Sequence, residues 1–223
     1  MIYTFYDEAG AESLHVKGEL YKYLVKVRRH SEGDELCFRS YENIEILHTY
    51  KVLHLEPRAL SLALVSSKKS IVQAKAPLHV GWCVVDMKSV EKVLASLCEV
   101  GVSKITFISC DRSQKNFKTD FKRLDRIVEA SMQQSGRSSF MEFASSKNIQ
   151  TFIKDFPDTR VFDFCETALE DGANFQTVLI GCEGGFSKDE REFLKTQESF
   201  RLKTPMILRS ETAVLAVASK ILL

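Results

Sequence analysis

Thr177-Val178-Leu179-Ile180-Gly181-Cys182-Glu183-Gly184-Gly185-Phe186-Ser187-Lys188-Asp189-Glu190 decides how the fold of this chain is read. A hydrophobic run, Thr177 to Ile180, leads into a glycine loop, and a charged run from Lys188 leads out of it. The order is strand, loop, helix start. Ser187 is placed as the helix N-cap, and Glu190, three residues on, closes a capping box. Three of the ten glycines fall between positions 181 and 185. Glycine tolerates positive φ and leaves bare backbone against which a ligand can lie. A tight turn uses glycine for the same reason, so turn and ligand cradle stand as two readings of the loop alone.

A second polar loop, Leu208-Arg209-Ser210-Glu211-Thr212-Ala213, follows about 25 residues later, within the connection lengths of a βαβ unit. It joins an expected strand, Leu202 to Leu208, to a last helix running from Ala213 to Leu223. Ser210 or Thr212 can cap that helix, and Glu211 suits the positive end of its dipole. Arg209, at a strand end beside a helix start, is placed to reach a ligand. The helix opens Ala213-Val214-Leu215-Ala216-Val217-Ala218, apolar on every side. Such a helix is buried all round, either in the core of its own domain or against a second copy of the chain.

Upstream, strands and helices alternate back to about residue 70. Leu78 to Val85 is an apolar strand. Lys88 to Val100 is an amphipathic helix that turns Val90, Val93, Leu94 and Leu97 inward and ends on Gly101. Lys104 to Ser109 is a strand, Thr119 to Gln134 a helix, Phe140 to Phe143 a weak strand, Asn148 to Phe156 a helix, and Val161 to Phe164 a strand. Alternation of this kind implies a parallel α/β sheet. Before it the pattern differs. Glu35 to Arg39, Ile44 to Leu47, Tyr50 to Leu55 and Leu60 to Val65 are short segments with partial period-2 alternation, the pattern of a small β-barrel or sandwich. A helix around Glu19 to Arg28 precedes them, with Leu20, Tyr23, Leu24 and Val27 on one face. The polar run Ser66-Ser67-Lys68-Lys69-Ser70 reads as the boundary, giving domains 1–69 and 70–223.

With 223 residues, 44% hydrophobic and 27% charged, the composition is that of a globular protein. The net charge of +1 excludes a polycation. Basic residues are nevertheless grouped: Lys22, Lys26, Arg28 and Arg29 near the start, and eight Lys/Arg against four Asp/Glu from Lys104 to Arg137. Either group is a solvated face or part of an oriented surface for phosphate. The six cysteines, 37, 83, 98, 110, 165 and 182, show no Cys-x-x-Cys spacing, and the five histidines form no ligand motif. Free buried thiols and no metal site are expected. The start carries no signal-peptide pattern and no apolar run reaches membrane-spanning length, so a cytoplasmic protein without a membrane partner is expected.

Ile180-Gly181-x-Glu183-Gly184-Gly185-Phe186-Ser187-x-x-Glu190 and Ile207-Leu208-Arg209-x-Glu211-Thr212-Ala213 together resemble the ribosomal RNA small subunit methyltransferase E family. Asp111-Arg112-Ser113 is similar to that family's Glu-Arg-Ser, Gln134-Ser135-Gly136-Arg137 to its Gln-Ser-x-Arg, and Val27-x-Arg29 followed by Gly33-Asp34 to its N-terminal Val-Leu-Arg and Gly-Asp. The resemblance thus runs over nearly the whole chain. Departures are Cys182 for a usual proline, Thr204 for a usual glycine and Met206 for a frequent arginine.

The resemblance implies an α/β fold: a C-terminal trefoil-knot (SPOUT) methyltransferase domain preceded by a small PUA-like β-barrel that helps hold RNA. It implies a homodimer, with the small-subunit 16S rRNA as partner and S-adenosyl-L-methionine as cofactor. The implied reaction is methylation of N3 of uridine 1498. Leu179, Gly181, Glu183, Gly184, Gly185, Leu208 and Thr212 are then the cofactor-binding candidates. Loss of the N3 proton puts negative charge on the uracil oxygens, and an arginine aimed there stabilises it. Arg112, Arg137 and Arg209 are the candidates, Arg112 and Arg209 first. Glu211 or Glu183 is placed to accept the proton, and a capping role stays open for each. Lys26, Arg29, Lys115 and Arg123 are the candidates for holding the RNA backbone. A Rossmann methyltransferase fits less well, because its glycine fingerprint follows an early strand.

Overall fold

The computed structural model describes residues 2–113, 119–170 and 172–223. The chain forms two units, Met1–Gln73 with Met132–Ser139, and Ala74–Ser131 with Phe140–Leu223.

The first unit is a five-stranded sheet. Its strands are β1 (Thr4–Phe5), β2 (Ser13–Lys17), β3 (Glu35–Arg39), β4 (Ile46–Leu55) and β5 (Ala59–Lys69), in the order β1-β3-β4-β5-β2. All neighbours are antiparallel except β1 and β3. Alternation does what it predicts: Leu14 and Val16, Leu36 and Phe38, Tyr50 and Val52, and Leu60 and Leu62 point into one core. The register of β4 on β5 shifts at Thr49/Tyr50 and Val52/His54, bulges that bend the ribbon. The polar run from Ser66 to Lys69 is the end of β5: these residues pair with Thr49, His48, Leu47 and Ile46. Ladder bonds use the backbone and take no account of side-chain polarity. The helix α1 (Gly18–Tyr21) continues into a π-helical turn, Lys22–Val27. The Arg28 N–H reaches back five residues to the Tyr23 carbonyl at 2.9 Å. This wider turn breaks the 3.6-residue face, so Tyr21 and Leu24 are buried while Val27 faces solvent.

The second unit is a six-stranded sheet, every adjacent pair parallel. Its strands are β6 (His79–Cys83), β7 (Lys104–Ile108), β8 (Glu142–Ser146), β9 (Arg160–Phe162), β10 (Thr177–Ile180) and β11 (Ser199–Phe200), in the order β11-β9-β10-β6-β7-β8. All five residues of β6 are buried, as expected for a central parallel strand covered on both faces. The helices are α2 (Met87–Val100), α3 (Phe121–Ser135), α4 (Ile149–Asp155), α5 (Lys188–Leu194) and α6 (Ser210–Leu222). Asp86 caps α2 through the Ser89 N–H. Gly101 ends it at φ +104°, where a Cβ would stand 2.6 Å from that of Ala74. The sequence grows outward from β6 to β7 and β8, then returns so that β10 lands beside β6. The carboxyl ends of β6 and β10 therefore meet where the strand order reverses, the place where parallel sheets bind ligands.

The expected strand from Leu202 to Leu208 is absent. The backbone there turns instead, with Thr204 N–H bonded to the Leu202 carbonyl at 2.9 Å and Met206 N–H to Thr204 Oγ1 at 3.2 Å. Pro205 lies between them and has no N–H for a ladder. Helix α6 begins at Ser210, earlier than expected, and packs on α2 and β10. Ala213, Val214, Val217 and Ala218 are buried, whereas Leu215, Ala216, Ile221 and Leu222 are only half covered within one chain.

Candidate functional site

The loops after β9 and β10 and the turn before α6 enclose a cavity of about 290 Å³, close to the lower end of small-molecule pockets. Gly181, Cys182, Glu183, Gly184 and Gly185 form one wall; Leu202, Thr204, Met206, Ile207 and Leu208 form another. Phe162, Asp163 and Phe164 from the end of β9, and Arg191 from α5, complete it.

The glycine loop is held from three sides. Internally, Gly185 N–H donates to the Cys182 carbonyl at 2.9 Å, and Gly185 sits at φ +64°, in the left-handed region that favours glycine. From below, Phe186 is fully buried. At its end the capping box is complete: Glu190 N–H donates to Ser187 Oγ at 3.2 Å and Ser187 N–H to Glu190 Oε2 at 2.8 Å. The other oxygen of buried Glu190 accepts Asp111 N–H at 2.8 Å, and Ser187 Oγ bonds Asp111 Oδ2 at 2.5 Å. One cap thus ties the glycine loop to the Asp111-Arg112-Ser113 turn after β7. Arg112 then donates to the Gly184 carbonyl at 2.6 Å. Its stem lies so close that a Cβ at Gly184 would be 3.3 Å from it.

Ser210 does not cap α6. Arg209 stands at the N-cap with no side-chain bond, and Thr212 is exposed. The Ser210 hydroxyl instead donates to the Gly181 carbonyl at 2.6 Å and accepts the indole N–H of Trp82 at 2.8 Å. The start of α6, the glycine loop and β6 are joined through that single oxygen. Neither role follows from spacing, although a lone tryptophan in an apolar strand does announce that its N–H needs a partner.

Of the cofactor candidates, Gly181, Glu183, Gly184, Gly185 and Leu208 line the cavity. Leu179 is fully buried in β10, and Thr212 lies on the first turn of α6. Arg209 is exposed between two lining residues; its carbonyl accepts the Ala213 N–H at 2.8 Å, and its side chain has no hydrogen-bond or ion-pair partner among the described residues. Glu211 is 7% exposed, and its Oε2 has no hydrogen-bond partner among the described residues. Arg137 belongs to the first unit, is buried, and bonds the Ser139 carbonyl at 2.7 Å; it does not line the cavity. Lys26 and Arg29 are exposed beside the π-helical turn, Arg29 at φ +62°. Arg123 is engaged by both oxygens of Glu91. Lys115 lies outside the described residues. Sequence reasoning missed the ion pair at the cavity mouth, where Arg191 grips Asp163 at 2.8 and 3.0 Å; the two are 28 residues apart, with no local pattern to announce them.

Chemically the cavity is mostly apolar, with bare backbone on one wall and arginines at its edge. That suits a ligand with a flat hydrophobic body and polar edges. A model of the RNA methyltransferase domain matches residues 72–222. Over 98% of this chain and 98% of its own length, the ribosomal RNA small subunit methyltransferase E of Helicobacter pylori is 34% identical. The enzyme of the same name from Aquifex aeolicus is 26% identical over the same shares. Among solved structures, the ribosomal RNA small subunit methyltransferase E of Neisseria gonorrhoeae, bound to S-adenosyl methionine, matches with a TM-score of 0.76 at 16% identity, covering 98% of this chain and 95% of that one. A Legionella pneumophila protein in complex with the bound cofactor SAM matches with a TM-score of 0.77 at 19% identity, over 98% and 94%. These likenesses give the fold: a PUA-like N-terminal sheet and a C-terminal α/β knot.

Proposed function

The chain belongs to the ribosomal RNA small subunit methyltransferase E family, and from that premise we propose how its site works. The protein is an S-adenosyl-L-methionine-dependent methyltransferase that acts on N3 of uridine 1498 in 16S rRNA. The observation that carries this reading is the end-to-end relationship at 34% identity, together with a glycine-walled cavity at the carboxyl ends of β9 and β10.

The residues present fit the cofactor. The cradle is bare where a Cβ would crowd Arg112, and it is kept open at φ +64° by Gly185. Gly181, Glu183, Gly184, Gly185 and Leu208 would hold it, with the backbone of Leu179 and the first turn at Thr212 as flanking contacts. Bound there, it supplies an electrophilic methyl group. The protein's own tasks are orientation and electrostatics. Arg209, exposed and unengaged, and Arg112, fixed to Gly184, are assigned to the uracil oxygens as N3 loses its proton. Glu211 is assigned the proton, because one of its buried oxygens has no partner; Glu183 takes a secondary place, and Arg137, which does not line the cavity, takes none. The base must leave its stack to be reached.

Residues 1–69 are proposed as the RNA-holding domain and 70–223 as the methyltransferase domain. Lys26, Arg29, Lys115 and Arg123 would contact phosphates, with affinity that falls as salt rises. The half-covered apolar stripe of α6 supports a homodimer, and the substrate's location supports a cytoplasmic enzyme. The test is incubation of the purified protein with S-adenosyl-L-methionine and small-subunit rRNA. Nucleoside mass spectrometry should find 3-methyluridine, and primer extension should stop at uridine 1498. Absence of 3-methyluridine overturns the assignment.

A further inference from the structure

Three of the six thiols meet at the carboxyl edge of the parallel sheet. Cys83 ends β6, Cys110 stands two residues past β7, and Cys182 two residues past β10. All are free. The Sγ atoms of Cys110 and Cys182, 72 residues apart in sequence, are 3.7 Å apart. Cys110 also touches the Ser113 hydroxyl at 3.0 Å, and Cys83 is near enough to act on it electrostatically. Exposure separates the three. Cys83 is fully buried; Cys110 is partly exposed, so a small oxidant can reach it; Cys182 is 8% exposed and lines the cavity.

We propose that Cys110 and Cys182 are a reversible oxidation site, in which a peroxide-class oxidant joins them in a disulfide that displaces the glycine loop and weakens cofactor binding. The surroundings support the order of events. Its contacts with the Cys182 and Cys83 sulfurs, the Ser113 hydroxyl and the Arg112 N–H hold the Cys110 pKa well below the thiol range. The same contact and burial push Cys182 up, and burial pushes Cys83 up. Cys110 is therefore the nucleophile, because the thiolate reacts and the thiol does not. Its sulfur attacks one peroxide oxygen, the O–O bond breaks, hydroxide leaves, and Cys110 becomes a sulfenic acid. The Cys182 sulfur then attacks that sulfur; the S–O bond breaks, the S–S bond forms, and hydroxide departs with the Cys182 proton as water. Two thiols lose two electrons and two protons, and peroxide becomes two waters.

The consequence follows from position. Bonding shortens the sulfur separation from 3.7 Å to about 2.0 Å. Cys182 sits between Gly181 and Glu183, whose backbones wall the cavity. A misplacement of order 1 Å costs up to about 10²-fold in a positioned reaction, and a displaced wall also loses its contacts with the ligand. That the bridge weakens cofactor binding rests on the methyl-donor reading of the cavity; that the bridge forms does not.

The experiment treats the whole purified protein with stoichiometric hydrogen peroxide, blocks remaining thiols, digests without reductant and maps peptides by mass. A peptide linking Cys110 to Cys182, released by dithiothreitol, is expected. Titration calorimetry with S-adenosyl-L-methionine should show at least tenfold weaker binding after peroxide and recovery after dithiothreitol. Cys110→Ser should keep its untreated affinity through the same treatment. A linkage to Cys83, a sulfinic acid at Cys110 without linkage, or a linked protein with unchanged affinity would each overturn the proposal. If the reduced protein does not bind S-adenosyl-L-methionine at all, the cofactor reading falls, and the linked peptide still decides the thiol chemistry.

Discussion

Arg112 and Arg209 look equivalent in the sequence, each an arginine in a polar turn, yet the structure gives them different attachments. Arg112 is tied to the Gly184 carbonyl and leans on the bare α-carbon of that glycine. The Arg209 side chain holds nothing among the described residues. Removing them should therefore separate two kinetic effects. Arg209→Ala should lower kcat by about 10²- to 10³-fold, the usual loss of one donor to developing charge, while the affinity for S-adenosyl-L-methionine stays as it was. Arg112→Ala should lower kcat and weaken cofactor binding together, because the glycine loop loses its brace. Single-turnover methyl transfer and calorimetry on the two variants give the comparison, and equal cofactor affinity in both would contradict the brace. The glycine loop and both arginines are legible in the sequence because each lies in a compact motif. Ser210, Trp82 and the Asp163–Arg191 pair are not, since their contacts span 128, 29 and 28 residues and depend on which strands become neighbours.

At the scale of elements, the parallel sheet could be read from its apolar runs and the glycine- or Asp-capped helices between them. Its strand order could not, because insertion of β10 beside β6 leaves no local trace. The missing strand at Leu202–Leu208 shows the opposite failure: apolar residues that serve a cavity wall mimic a strand, and Pro205 is the contrary signal. Similarly, β5 runs through its polar end because its partner β4 continues there. One strand residue carries a pH-dependent consequence. His79 of β6 is 8% exposed, bonds Thr106 Oγ1 at 2.8 Å and packs on the edges of Phe152 and Phe156. Burial, with Lys104 adding to it, lowers its pKa from 6.5 to about 4. The unfolded chain then binds the proton first, so stability is full above pH 6.5 and declines as pH falls toward 4. The loss is at most about 3 kcal/mol. Urea unfolding of the wild type should show this slope, and His79→Gln should flatten it. Parallel slopes would mean that other groups dominate acid sensitivity in this range.

For the whole molecule, the decisive feature is α6. One face, with Val214, Val217 and Ala218, is buried against α2 and β10. Leu215 and Leu222, seven residues apart and so on one stripe, remain half covered, and Leu223 is 89% exposed. Near the cavity mouth, Ile207 is 82% exposed and Met206 65%. Apolar surface of this kind beside a binding site marks an interaction face, and a second copy of the chain is the partner proposed for it. Sedimentation velocity should then give a dimer at micromolar concentration. Leu215→Glu combined with Leu222→Glu should shift it to monomer while far-ultraviolet circular dichroism stays unchanged, because neither side chain belongs to the buried face. If the site depends on the second copy, that monomer should also lose methyl transfer, and raising its concentration should not restore activity. A wild type that sediments as a monomer would remove the dimer, and the half-covered stripe would then be ordinary surface.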